Sequence, residues 1–63
     1  MPKMTLKRAE EIFRDMPSHT KEELQRAASR MREGYEAGSG SYNEVQWRGH
    51  VGEHLQAEVD ART

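Results

Sequence analysis

The segment His50-Val51-Gly52-Glu53-His54 reads His-x-x-Glu-His, the order in which inverted metalloproteases present two zinc-ligating imidazoles and a glutamate. Four residues apart on a helix, His50 and His54 share one face and can clamp a single ion, with Glu53, Glu58 or His19 completing the shell. The protease reading fails on size. Such an enzyme needs a further ligand from a much larger fold and a walled cleft for the peptide, which 63 residues with fifteen large apolar or aromatic side chains cannot build. Without that cleft, His50 and His54 read first as two exposed or half-buried histidines beside an apolar stripe. No cofactor is expected, and metal binding through the pair stands as a third reading.

Other catalytic patterns are weaker still. Ser18 and Ser41 look like turn and cap residues and Ser39 lies in a glycine turn, so no Ser-His-Asp arrangement is supported. Gly38-Ser39-Gly40 follows no strand and precedes no lysine, which argues against a phosphate cradle. Carboxylates abound, but a general acid needs a desolvated pocket to raise its pKa, and this composition offers none. The expectation is a chain that is not an enzyme.

Composition sets the same bounds. Hydrophobic residues make up 33% of the chain, six of them alanine, and Leu, Ile, Val and Phe together number eight. Mean hydropathy is −1.10. Against a usual apolar share of about 45–50% this is a thin core, yet ten basic and eleven acidic residues cancel to a net charge of −1, so the chain does not repel itself into disorder. Zero cysteines remove disulfides, thiolate metal sites and cysteine nucleophiles, and fit a reducing compartment, the cytoplasm. No apolar run approaches the roughly 18 residues of a membrane span, and no signal-peptide stretch is visible.

The side chains singled out above must be positioned by helices. Pro17-Ser18 and Gly38-Ser39-Gly40-Ser41 divide the chain in three. Leu6, Ala9, Ile12, Phe13 and Met16 recur at helical spacing after Thr5, a candidate N-cap, predicting a helix over 6–16. Thr20 and Glu23 form a Thr-x-x-Glu capping box that opens a helix over 21–37, with Leu24, Ala27, Ala28, Met31 and Tyr35 as its apolar stripe and Gly38 as its left-handed stop. Ser41 and Glu44 repeat the start signal for a helix over 42–60 carrying Val45, Trp47, Val51, Leu55 and Val59. Gly49 and Gly52 interrupt that pattern, so this helix either breaks there or lets a neighbouring backbone come close, and alanine at one of them at least should destabilise. No alternating strand pattern and no repeat appears. The expected fold is all-α, a small three-helix domain over 1–63.

Charge patterning limits partners. Glu10 and Arg14, Glu22 and Arg26, and Arg32 and Glu36 are each four apart, the spacing of a solvated, self-paired helix surface. Lys3, Lys7 and Arg8 cluster locally, and Arg26 and Arg30 share an outer face, which gives a small dimeric DNA-binding regulator as the alternative reading. A pI of about 6.3 argues against it.

Tyr42, Trp47, Arg48, His50 and His54 surround the third helix, and Trp, Tyr and Arg dominate interface hot spots. A single Trp in so small a chain is more often a core keystone than an interface anchor. The thin core and the glycine pair suggest contact with a second chain, either a homodimer or a foreign protein. The leading expectation is therefore a non-enzymatic interaction module that binds and inhibits or regulates a larger protein.

Overall fold

A computed structural model describes residues 3–63, so the first two residues of the expected domain lie outside it. Three α-helices follow one another, α1 at Leu6–Arg14, α2 at Lys21–Ala37 and α3 at Tyr42–Ala61, with a single 3-10 turn at Met16–Ser18 between the first two. The described residues contain no strand. The helices α2 and α3 pack on each other extensively, and α1 lies mainly on α2.

Each helix starts where a hydroxyl can accept from an otherwise orphaned amide. Thr5 accepts from the Arg8 N–H at 3.0 Å, Thr20 from Glu23 at 3.2 Å and Ser41 from Glu44 at 3.2 Å. At Thr20 the box is reciprocal, since the Thr20 N–H donates to the Glu23 carboxylate at 3.2 Å. At Ser41 only the first half forms. The Glu44 carboxylate turns instead toward Arg48, 3.5 Å away.

Two boundaries differ from expectation. The first helix ends at Arg14 rather than residue 16, with Asp15 outside helical geometry at φ −141° and ψ 49°. Pro17 is the cause: it has no N–H for the Phe13 carbonyl, and its ring would collide with that carbonyl in a continuing helix. The third helix runs without a break through Gly49 and Gly52, ending at Ala61. The second ends as expected, on Gly38 in the left-handed region at φ 64°.

Nine buried side chains make the core: Ala9 and Ile12 from α1, Leu24, Ala27, Ala28 and Met31 from α2, and Val51, Leu55 and Val59 from α3. Met4, Leu6, Phe13 and Met16 pack against it, half-buried. Tyr35, expected in the α2 stripe, is instead 45% exposed. Among the described residues no buried side-chain polar atom lacks a partner.

The glycines explain how α2 and α3 come so close. A Cβ on Gly52 would stand 3.2 Å from the Met31 Cβ and 3.6 Å from the Ala28 carbonyl oxygen, and one on Gly49 would meet the Tyr35 ring at 2.7 Å. The neighbouring backbone is thus the chain's own second helix. The glycine pair therefore gives no argument for a second chain, contrary to the expectation above.

Arginines close the connections. Arg62 donates to the carbonyls of His19 at 2.6 Å and Met16 at 3.0 Å while pairing with Glu58 at 3.0 Å, pinning the end of α3 to the turn between α1 and α2. Arg62→Ala should cost about 1–2 kcal/mol, because the bonds are charge-assisted but partly exposed, which for a domain of this size lowers Tm by roughly 4–16 °C. Arg62→Lys should recover only part of it, since an ammonium cannot span two carbonyls and a carboxylate as the guanidinium fork does. A thermal melt of the two variants checks both; an unchanged Tm in Arg62→Ala would leave the clamp without energetic weight. Of the three expected charge pairs, Glu10–Arg14 forms at 2.7 Å, while Glu22–Arg26 and Arg32–Glu36 are absent among the described ion pairs.

The start of α2 should be acid-sensitive. Glu23 accepts from His19 Nδ1 at 3.0 Å, which requires that nitrogen to carry the proton, and this bond, aided by the Thr20 N–H, holds the carboxyl below its ordinary value of 4.5. A carboxyl lowered in the folded state stabilises above its unfolded pKa, and the contribution is lost as pH falls through the lowered value. Glu23→Gln preserves the box geometry but removes the charge. The gap in stability between wild type and Glu23→Gln should shrink as pH falls below about 4.5. Urea unfolding at several pH values measures it, and a gap that fails to shrink there would contradict the assignment.

Candidate functional site

Because α3 is continuous, Trp47, His50 and His54 fall at positions i, i+3 and i+7 of one helix and so along one edge. Their rings form a ladder: Trp47 stacks on His50 at 5.7 Å between centroids with 29° between planes, and His50 meets His54 at 4.3 Å and 64°. From α1, the Phe13 ring stands perpendicular to Trp47 at 5.9 Å and 87°, and lies 6.3 Å from His54. The edge-to-face arrangement suits the aromatic quadrupole. Trp47 keeps 42% of its surface in water, and both histidines are exposed.

Trp47 is thus not the centre of the core. The thin apolar supply is spent on aliphatic and alanine contacts between α2 and α3, and the indole closes the outer edge of the α1–α3 junction. Phe13, expected in the apolar stripe of α1, does pack half-buried against the core and also reaches the ladder. Its helical spacing fitted that stripe, and nothing local shows that it tilts toward the third helix.

The other two expected contact residues sit apart from the ladder. Tyr42, in the first turn of α3, is 77% exposed. Arg48 is engaged within the chain: it donates to the Ser39 carbonyl at 2.6 Å, and its stem passes where a Cβ on Gly34 would stand, 2.9 Å away. That guanidinium holds the turn between α2 and α3.

The residues of the DNA-binding alternative do not gather into a free basic face. Lys3 lies 3.4 Å from Glu33, Arg8 is 3.4 Å from Glu11, and Arg30 donates to the Met4 carbonyl at 3.0 Å beside the same Glu33. Lys7 and Arg26 are exposed. Nor does a full metal shell assemble: no group of three or more His, Asp or Glu side chains able to hold an ion occurs among the described residues. His19 is bound to Glu23 and Glu58 to Arg62, which removes two of the three side chains expected to complete the shell.

An open groove of about 760 Å³ runs between α2 and α3, lined by Gly49 and Gly52 with Tyr35, Glu36 and Glu53. Its lining carries both signs of charge, Arg32 together with Glu36, Glu53 and Asp60. No helix among the described residues is long and apolar enough to cross a membrane. No protein-family profile matches the chain, and no curated protein or solved structure is significantly similar to it.

Proposed function

We propose that the chain is a non-enzymatic interaction module that uses the Phe13–Trp47–His50–His54 face to bind a larger protein and inhibit or regulate it. The observation that carries this reading is the exposed indole of Trp47, held between the Phe13 and His50 rings instead of being buried. A preorganised aromatic side chain contributes large contact area at little entropic cost, which is why such residues anchor interfaces. The ladder offers apolar faces at its centre and imidazole nitrogens along its edge, so one partner surface can both dehydrate the rings and accept hydrogen bonds from them.

The test compares the wild-type chain with Trp47→Ala as baits in host lysate, after circular dichroism has shown that both are folded. A protein retained by the wild type should bind the variant about 30-fold more weakly or worse, the roughly 2 kcal/mol threshold of a hot spot. Equal retention by both baits, or retention by neither, would remove this face as the binding site. Light scattering on the same samples separates a foreign partner from a second copy, since a homodimer through this face would fall to a monomer in Trp47→Ala.

A further inference from the structure

We infer that His50 and His54 form a two-point chelate for a late first-row divalent cation, with Cu²⁺ bound most tightly and Ni²⁺ and Zn²⁺ more weakly. Imidazole nitrogen suits these ions, and the Irving–Williams order ranks them in that way. The two rings sit one turn apart on an unbroken helix, both exposed, with centroids 4.3 Å apart. Metal–nitrogen bonds of ~2.0–2.1 Å put two cis nitrogens of a tetragonal Cu²⁺ or Ni²⁺ site roughly 2.9 Å apart and those of a tetrahedral Zn²⁺ site roughly 3.3 Å apart. Centroids 4.3 Å apart leave these separations to be reached by rotating the two exposed rings. Gly52, between them in sequence, is seated against Met31, so the turn that carries both rings is fixed on α2.

The third histidine supplies a contrast. His19 is mostly buried and its Nδ1 is occupied by Glu23 at 3.0 Å, whereas no hydrogen bond to His50 or His54 occurs among the described residues. The pair provides two ligands, and water fills the remaining positions. This inference goes beyond protein binding although it uses two side chains of the same face: it needs no partner, and the Trp47→Ala comparison above leaves both imidazoles in the chain.

Trp47 is the sole tryptophan, and its ring lies 5.7 Å from that of His50, so its fluorescence reports an open-shell ion bound there. The experiment titrates the full chain, without a histidine tag, with Cu²⁺ while following Trp47 emission, and with Zn²⁺ while following Tm. Saturable quenching and a Tm raised by Zn²⁺ are expected in the wild type and in His19→Gln. In His50→Gln and His54→Gln, checked for helicity by circular dichroism, Cu²⁺ affinity should fall at least about tenfold, since even a residue that only orients a ligand is worth about 10–100-fold. The Zn²⁺ shift should vanish in both. Responses equal to wild type in either variant, a response lost only in His19→Gln, or no response in the wild type would each overturn the chelate.

Discussion

Leu55→Ala should leave the chain largely unfolded at room temperature. Leu55 is fully buried among Leu24, Ile12 and Val51, and truncating such a side chain in a core costs about 2–5 kcal/mol from lost transfer energy and the cavity left behind. A domain of 63 residues holds only about 3–9 kcal/mol in total at the usual stability per residue. With nine buried side chains, five of them alanine or valine, this chain belongs at the lower end of that range. Far-ultraviolet circular dichroism with a urea titration reads the loss directly. Tyr42→Ala is the control: at 77% exposure it should shift stability by no more than about 0.5 kcal/mol. A Leu55→Ala variant that melts close to wild type would mean that Leu55 does not sit in the core.

Gly52→Leu is the second substitution expected to be severe, and for the opposite reason. The first added carbon already stands 3.2 Å from the Met31 Cβ, an atom that moves only with the α2 backbone, and the branched end would have to pass the Ala28 carbonyl. The helices must separate. Overpacking in a closed core costs about 1–3 kcal/mol where side chains can yield, and more is expected at a backbone contact. Gly49→Ala should behave differently although its Cβ approaches the Tyr35 ring more closely, at 2.7 Å. That ring is 45% exposed and can swing into water, which lets the gain of up to about 1 kcal/mol in helix propensity show through. Gly52→Ala falls between the two. Thermal melts should rank the stabilities Gly49→Ala, Gly52→Ala, Gly52→Leu from highest to lowest, and a Gly52→Leu chain as stable as wild type would show that α2 and α3 are not in contact there.

Local chemistry made much of this fold legible. A threonine or serine three residues before a glutamate announced the starts of α2 and α3, and Gly38 announced the stop of α2, because each satisfies backbone groups within its own few residues. The end of α1 was misjudged because the apolar spacing ran on to Met16, while the steric demand of Pro17 acts backwards on residues that otherwise look helical. Long-range partners were beyond reach. Nothing in sequence says that Arg62 will find carbonyls 43 and 46 residues away, or that Arg48, a natural interface residue by type, will be occupied by Ser39. The candidate site divides in the same way. Helical spacing alone puts Trp47, His50 and His54 on one edge, whereas Phe13 joins them only through the packing of α1.

The unequal packing of the three helices has a kinetic meaning. The helices α2 and α3 are joined by a short glycine turn and share the tightest seam, a hairpin of local contacts that closes quickly and opens last. Helix α1, leaning mainly on α2, is the segment whose detachment requires the fewest contacts to break. Since Phe13 rides on that segment while Trp47, His50 and His54 belong to the hairpin, each excursion of α1 strips one wall from the aromatic ladder and leaves the rest in place. The indole then faces water on a side that is normally covered. A partner of the kind proposed would therefore meet two versions of the same surface, one closed by Phe13 and one open, in proportions set by how firmly nine residues of helix are held down.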